Sequence, residues 1–133
     1  MKRIMVRAAL AAGVMLTAVA AVPAGQTPTF AAFSKVERGL WSLKATGGAT
    51  RSVCVADPET LLQPRAKAGQ PCSRFVVDNG ATSATVTYSC PGAGEGRTTI
   101  SVETPRLMRI ESQGVDGGMP FASEVEARRI GAC

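Results

Sequence analysis

Cys54, Cys72, Cys90 and Cys133 are the residues with the most distinctive chemistry in the chain. Their spacings are 18, 18 and 43 residues, with no close Cys-x-x-Cys pair. Structural zinc sites usually draw thiolates from such close pairs. The chain also has no histidine. That removes Ser-His-Asp and Cys-His catalysis, His-ligated metals and a histidine pH switch. Without a His or Cys-x-x-Cys partner, no thiol has an evident activator. An even number of cysteines in a short exported chain reads instead as two disulfides. Three pairings are possible. Cys54–Cys72 with Cys90–Cys133 is favoured, because the first closes a short turn-rich loop and the second pins a chain end that otherwise frays.

Other constellations are weaker. Glu124 and Glu126, at i and i+2, could serve as an acid–base pair of the glycosidase kind, but both fall on a polar strand face within reach of Arg109 and Arg128. The run Cys90-Pro91-Gly92-Ala93-Gly94-Glu95-Gly96-Arg97 suggests a phosphate cradle. It lacks the Gly-Lys-[Ser/Thr] and the following helix that a P-loop requires, so a hairpin loop is the better reading. The arginines suit carboxylate or phosphate contacts. Ten acids are present to pair with them, however, and few aromatics accompany them for base stacking. Trp41 reads as a core anchor. No catalytic residue, cofactor site or metal site is assigned, and the expectation is a protein that is not an enzyme and does not bind nucleic acid.

Residues 1–24 read as a secretory signal. Lys2, Arg3 and Arg7 form a basic start, Ala8 to Val22 is an uncharged apolar run of 15 residues, and Val22-Pro23-Ala24 offers a cut after Ala24. That run is short of the ~20 residues that span a bilayer. The alternative is an uncleaved N-terminal anchor. The formal charge of +5 owes three units to this segment. Beyond it stand 12 basic and 10 acidic residues, a net +2. The basic balance therefore speaks for export to the periplasm rather than for nucleic acid, with no stable membrane anchor after cleavage.

Residues 25–36 read as a leader, either loose or forming one short helical turn. Residues 37–133 read as a single disulfide-stapled domain. From Glu37 the chain alternates with period two, the mark of half-buried strands. Trp41 and Leu43 share one face, and Gly47-Gly48 supplies a hairpin turn to Val53 and Val55. Asp57-Pro58 starts a short helix near 58–63 with Leu61 and Leu62 on its apolar side. Further strands are expected over 72–78, 82–90, 97–104, 106–113 and 121–129, with Asn79-Gly80 as a turn. The fold class is therefore mainly all-β: an antiparallel meander of six to eight strands, as a curved sheet or small open barrel. Its single apolar face must curl on itself or pack on the helix and leader.

Gly39-Leu40-Trp41, Val53-Cys54-Val55, Tyr88-Ser89-Cys90-Pro91-Gly92 and the terminal Arg128-Arg129-Ile130-Gly131-Ala132-Cys133 resemble the bacterial domain-of-unknown-function family 3617 over most of residues 37–133. The resemblance implies a small exported proteobacterial protein with two disulfides. That family carries no established activity, so no residue role transfers. The expected function is a non-enzymatic binding module for a small apolar ligand or an envelope component. The alternative is an interaction or inhibitor module that contacts an envelope enzyme through an edge strand or the 91–96 loop.

Overall fold

The structure is a computed structural model that describes residues 29–63 and 71–133. The expected signal, the first part of the leader and part of the loop before Cys72 lie outside the described residues. Among the described residues the domain is mainly β, with seven antiparallel strands in one open sheet and only two short 3-10 turns. The strands are β1 (Gly39–Ala45), β2 (Thr50–Val55), β3 (Ser73–Asn79), β4 (Ser83–Cys90), β5 (Gly94–Thr104), β6 (Leu107–Asp116) and β7 (Met119–Gly131).

Turn chemistry explains most of the links. The β1–β2 hairpin turns at Gly47, whose φ of 69° glycine adopts without steric cost. Gly117 and Gly118 both have positive φ, as a two-residue type I′ turn requires. The β6–β7 hairpin therefore continues to Asp116↔Met119, well past the turn expected over 114–120. Val115 and Pro120 become a cross-strand pair. Proline is tolerated there because β1 joins β7 only from Val125 onward.

The strand order is β2-β1-β7-β6-β5-β4-β3. Strands β3 to β7 form the expected meander. The N-terminal hairpin departs from sequential order, since β1 adds to β7 rather than to β3. The chain from β2 to β3 must therefore travel from one sheet edge to the other. It carries the 3-10 turn Pro58–Leu62, which starts as expected: the Asp57 carboxylate accepts from the Glu59 N–H at 3.0 Å, and Pro58 stands at the first position.

This crossing covers the apolar face. Leu61 and Leu62 are buried with Trp41, Val86, Ile100 and Met108 in one core cluster. Phe30, expected in the leader, belongs to the same cluster. The leader segment is docked at β3: Asn79 accepts from the Ala31 N–H (3.1 Å) and donates to the Thr29 carbonyl (3.0 Å). Arg74 stacks over the Phe30 ring and pairs with Glu59 at 3.3 Å. Trp41 is fully buried and its indole N–H donates to the Glu37 carbonyl at 3.0 Å, which makes it the core anchor expected. One buried polar pair, Thr98 and Ser112, shares a hydroxyl hydrogen bond of 2.9 Å.

The disulfide pairing corrects the sequence expectation. Cys54 bonds Cys133, and Cys72 bonds Cys90; Cys54–Cys72 and Cys90–Cys133 do not form. Two facts of register decide this. Ser73 is opposite Ser89 in the β3–β4 hairpin, so Cys72 and Cys90 are the next cross-strand pair, with Cα atoms 4.2 Å apart. Leu40 of β1 lies between Cys54 of β2 and Gly131 of β7, so the chain end arrives beside Cys54, Cα to Cα 5.8 Å. Two disulfides mark a chain that folds in an oxidising, exported environment.

Candidate functional site

Alternation along the strands gives the sheet a second face, opposite the core, and cross-strand register sorts its side chains into rows. One row runs Phe75–Thr87–Arg97–Gln113 across β3, β4, β5 and β6. The next runs Ser73–Ser89–Glu95–Val115. Between them lies a groove of about 670 Å³. Its floor is the main chain of the intervening residues Arg74, Tyr88, Gly96, Gly114 and Phe121.

The floor is bare because strand alternation turns the side chains at these positions to the opposite face. The side chain of Tyr88 is buried on the core side and lies against Gly96, where a Cβ would stand 2.6 Å from its hydroxyl oxygen. At Gly114 a Cβ would stand 2.6 Å from the Cα of Gly96. Two glycines side by side thus let β5 and β6 approach closely. The Tyr88 hydroxyl has no hydrogen-bond partner among the described residues.

The walls are chemically mixed. Phe75, on the edge strand, is 70% exposed and Val115 is 37% exposed. Arg97 has no ion pair or side-chain hydrogen bond among the described residues. A second groove of about 520 Å³ lies alongside, sharing Arg97 and Gln113 and bordered by Thr99, Glu111 and Glu124. Glu111 and Glu124 are directly opposite one another in the β6–β7 ladder.

The two carboxylates weighed as an acid–base pair lie instead on a charged face, as expected, and are drawn into ion pairs. Glu124 accepts from Arg109 at 2.7 Å, and Glu126 lies 3.4 Å from Arg128. Arg109 also reaches Glu103 at 3.3 Å. Hydrogen bonds from its guanidinium, to Glu124 first and then Glu103, hold the Arg109 pKa above its ordinary range. All of these side chains are about half exposed, so the pairs order the surface rather than stabilise the fold. Among the described residues, no three His, Cys, Asp or Glu side chains gather to hold a metal.

The glycine-rich motif is a hairpin, as expected, and a shorter loop than 91–96. Ala93 N–H closes it on the Cys90 carbonyl at 3.0 Å. Gly94, Glu95 and Gly96 already pair with both β4 and β6, so their main-chain groups serve the ladder, not an anion.

The groove residues were poorly marked in the sequence. Gln113 stands out in no motif. The signal available was Phe75-Val76-Val77: three successive apolar residues in a strand with one buried face must leave at least one in solvent. No protein-family model matches the chain, and no curated protein matches its sequence. Among the described residues, no helix is long and apolar enough to cross a membrane.

Proposed function

We propose that the chain is a periplasmic, non-enzymatic binding module that holds an envelope component in the groove on its outer sheet face. The observation that supports this reading is the groove itself: two cross-strand rows of unlike side chains over a floor of main chain whose own side chains turn to the core face. Binding sites combine concavity with a few placed polar groups, and Arg97 and Gln113 are available for that role. A small apolar ligand inside the curl is less well supported, because Phe30, Leu61 and Leu62 fill the space over the core face. The carboxylates best suited to acid–base work are held by arginines, which favours binding over catalysis. The resemblance to family 3617 is compatible with this role.

Native mass spectrometry and thermal-shift measurements on the oxidised protein, with fractionated envelope extracts, test the proposal. A retained species whose binding is weakened by Arg97→Ala is the expected result. Absence of any bound species or thermal shift across all fractions would overturn it.

One observation favours a second reading, an interaction module. Edge strand β3 leaves Phe75 and Val77 exposed beside an unpaired ladder, a surface to which an added strand can pair. A bulge between Val76 and Asp78 interrupts it and limits any such template to the Ser73–Val76 stretch.

A further inference from the structure

We infer that the outer groove takes a neutral glycan, an oligosaccharide lying across the strands with one sugar ring on Phe75; this rests on the binding role proposed above and specifies its ligand. The argument begins with charge. The two adjoining grooves share one cation, Arg97, and present three carboxylates, Glu95, Glu111 and Glu124, of which among the described residues only Glu124 is held by an arginine; the other arginine lining the outer groove, Arg74, turns its guanidinium onto Phe30 and Glu59. An anionic ligand, whether phospholipid headgroup or nucleic acid, would meet more negative charge than positive. An apolar ligand would strip water from Arg97, Glu95 and Gln113 without replacing its hydrogen bonds, at a cost that apolar contact with Phe75 and Val115 alone would not offset. Hydroxyl groups satisfy both signs at once, since each donates and accepts.

The side-chain types fit that chemistry in detail. Arg, Glu and Gln have planar heads with two donor or acceptor positions side by side, which match the paired hydroxyls of adjacent sugar carbons. Serine and threonine hydroxyls at Ser73, Ser89 and Thr87 continue the rows. Phe75 supplies the complementary apolar surface. Its ring is 70% exposed at the groove's end, where the C–H face of a pyranose can lie against it. The groove crosses from β3 to β7. That is four inter-strand spacings, about 19 Å, room for several sugar units.

Titration of the full-length oxidised protein with maltohexaose, cellohexaose and N-acetylchitohexaose, followed by backbone amide NMR, tests the inference. The expected result is that at least one hexasaccharide shifts the amides of residues 73–75, 95–97 and 113–115. Phe75→Ala should weaken that binding about tenfold or more, as truncating an aromatic anchor does, while leaving the thermal midpoint unchanged because the ring is exposed. Gln113→Ala should weaken it too, and Arg128→Ala, elsewhere on the same face, should not. Three outcomes overturn the glycan assignment. If no hexasaccharide moves the groove amides while an envelope extract does, the binding role stands and the ligand class falls. If phosphatidylglycerol vesicles bind through the groove where the sugars do not, the charge argument is reversed. If extract, sugars and vesicles all leave the groove amides unmoved, the binding role falls with it.

Discussion

Replacing Cys54 and Cys133 together by alanine removes the link between β2 and the chain end and leaves Cys72–Cys90 untouched. The sequence separation across the removed link is 79 residues, against 18 for the other. By loop-closure entropy, a cross-link over such a long loop contributes about 4.5 kcal/mol and the shorter one about 3 kcal/mol. Either is a large part of the stability of a domain this small. Urea unfolding followed by Trp41 fluorescence measures the loss, since Trp41 is the sole tryptophan and is fully buried. The double variant is expected to lose more stability than Cys72→Ala/Cys90→Ala. A thiol count on the denatured, unreduced variant decides the pairing. The structure requires no free thiol, because the remaining two cysteines bond one another; a Cys54–Cys72 and Cys90–Cys133 pairing would leave two. A tryptic digest gives the same answer in wild type, because each cysteine falls in its own peptide: 52–65 should join 130–133, and 68–74 should join 75–97. Two thiols, or the larger loss on removing Cys72 and Cys90, would refute the reasoning.

Three further outcomes follow from the packing. Leu62→Ala empties part of the cover over the core face at a fully buried position and should cost about 2–5 kcal/mol in urea or thermal unfolding. Thr98→Val leaves the Ser112 hydroxyl buried without its partner and should cost about 1–3 kcal/mol, whereas Thr98→Val/Ser112→Ala should recover most of that loss in a double-mutant cycle. Gly94→Ala forces a Cβ onto the Val115 carbonyl at a φ of 138° and should lower the thermal midpoint markedly. Gly131→Ala, with open space around it, should leave the midpoint nearly unchanged.

The sequence by itself determined the strands, the turns and the faces. Period-two alternation placed Trp41, Leu43, Val86, Tyr88, Ile100, Met108 and Ile110 on the buried side, and all are buried. Asp57-Pro58 and Gly47-Gly48 gave their local elements, because capping and positive-φ preferences act within a few residues; Asn79-Gly80 marked its turn, although neither residue takes a positive φ there. One long-range fact was also within reach. A hairpin centred just after Asn79-Gly80 sets Cys72 opposite Cys90, so that disulfide could have been read from the turn. The other could not. Cys54 meets Cys133 only because β1 inserts beside β7, and the preference for that edge over β3 lies in the packing of whole strands rather than in any short motif. The same docking decides the rest. It sends the β2–β3 crossing over the core face, carrying Leu61 and Leu62 into the position that an enclosed ligand would need. It leaves the outer face as the open surface, where Phe75, Thr87, Arg97 and Gln113 line up from four strands. Side chains so far apart in the chain become a row only when register is fixed, and register here is set by burial of the opposite face.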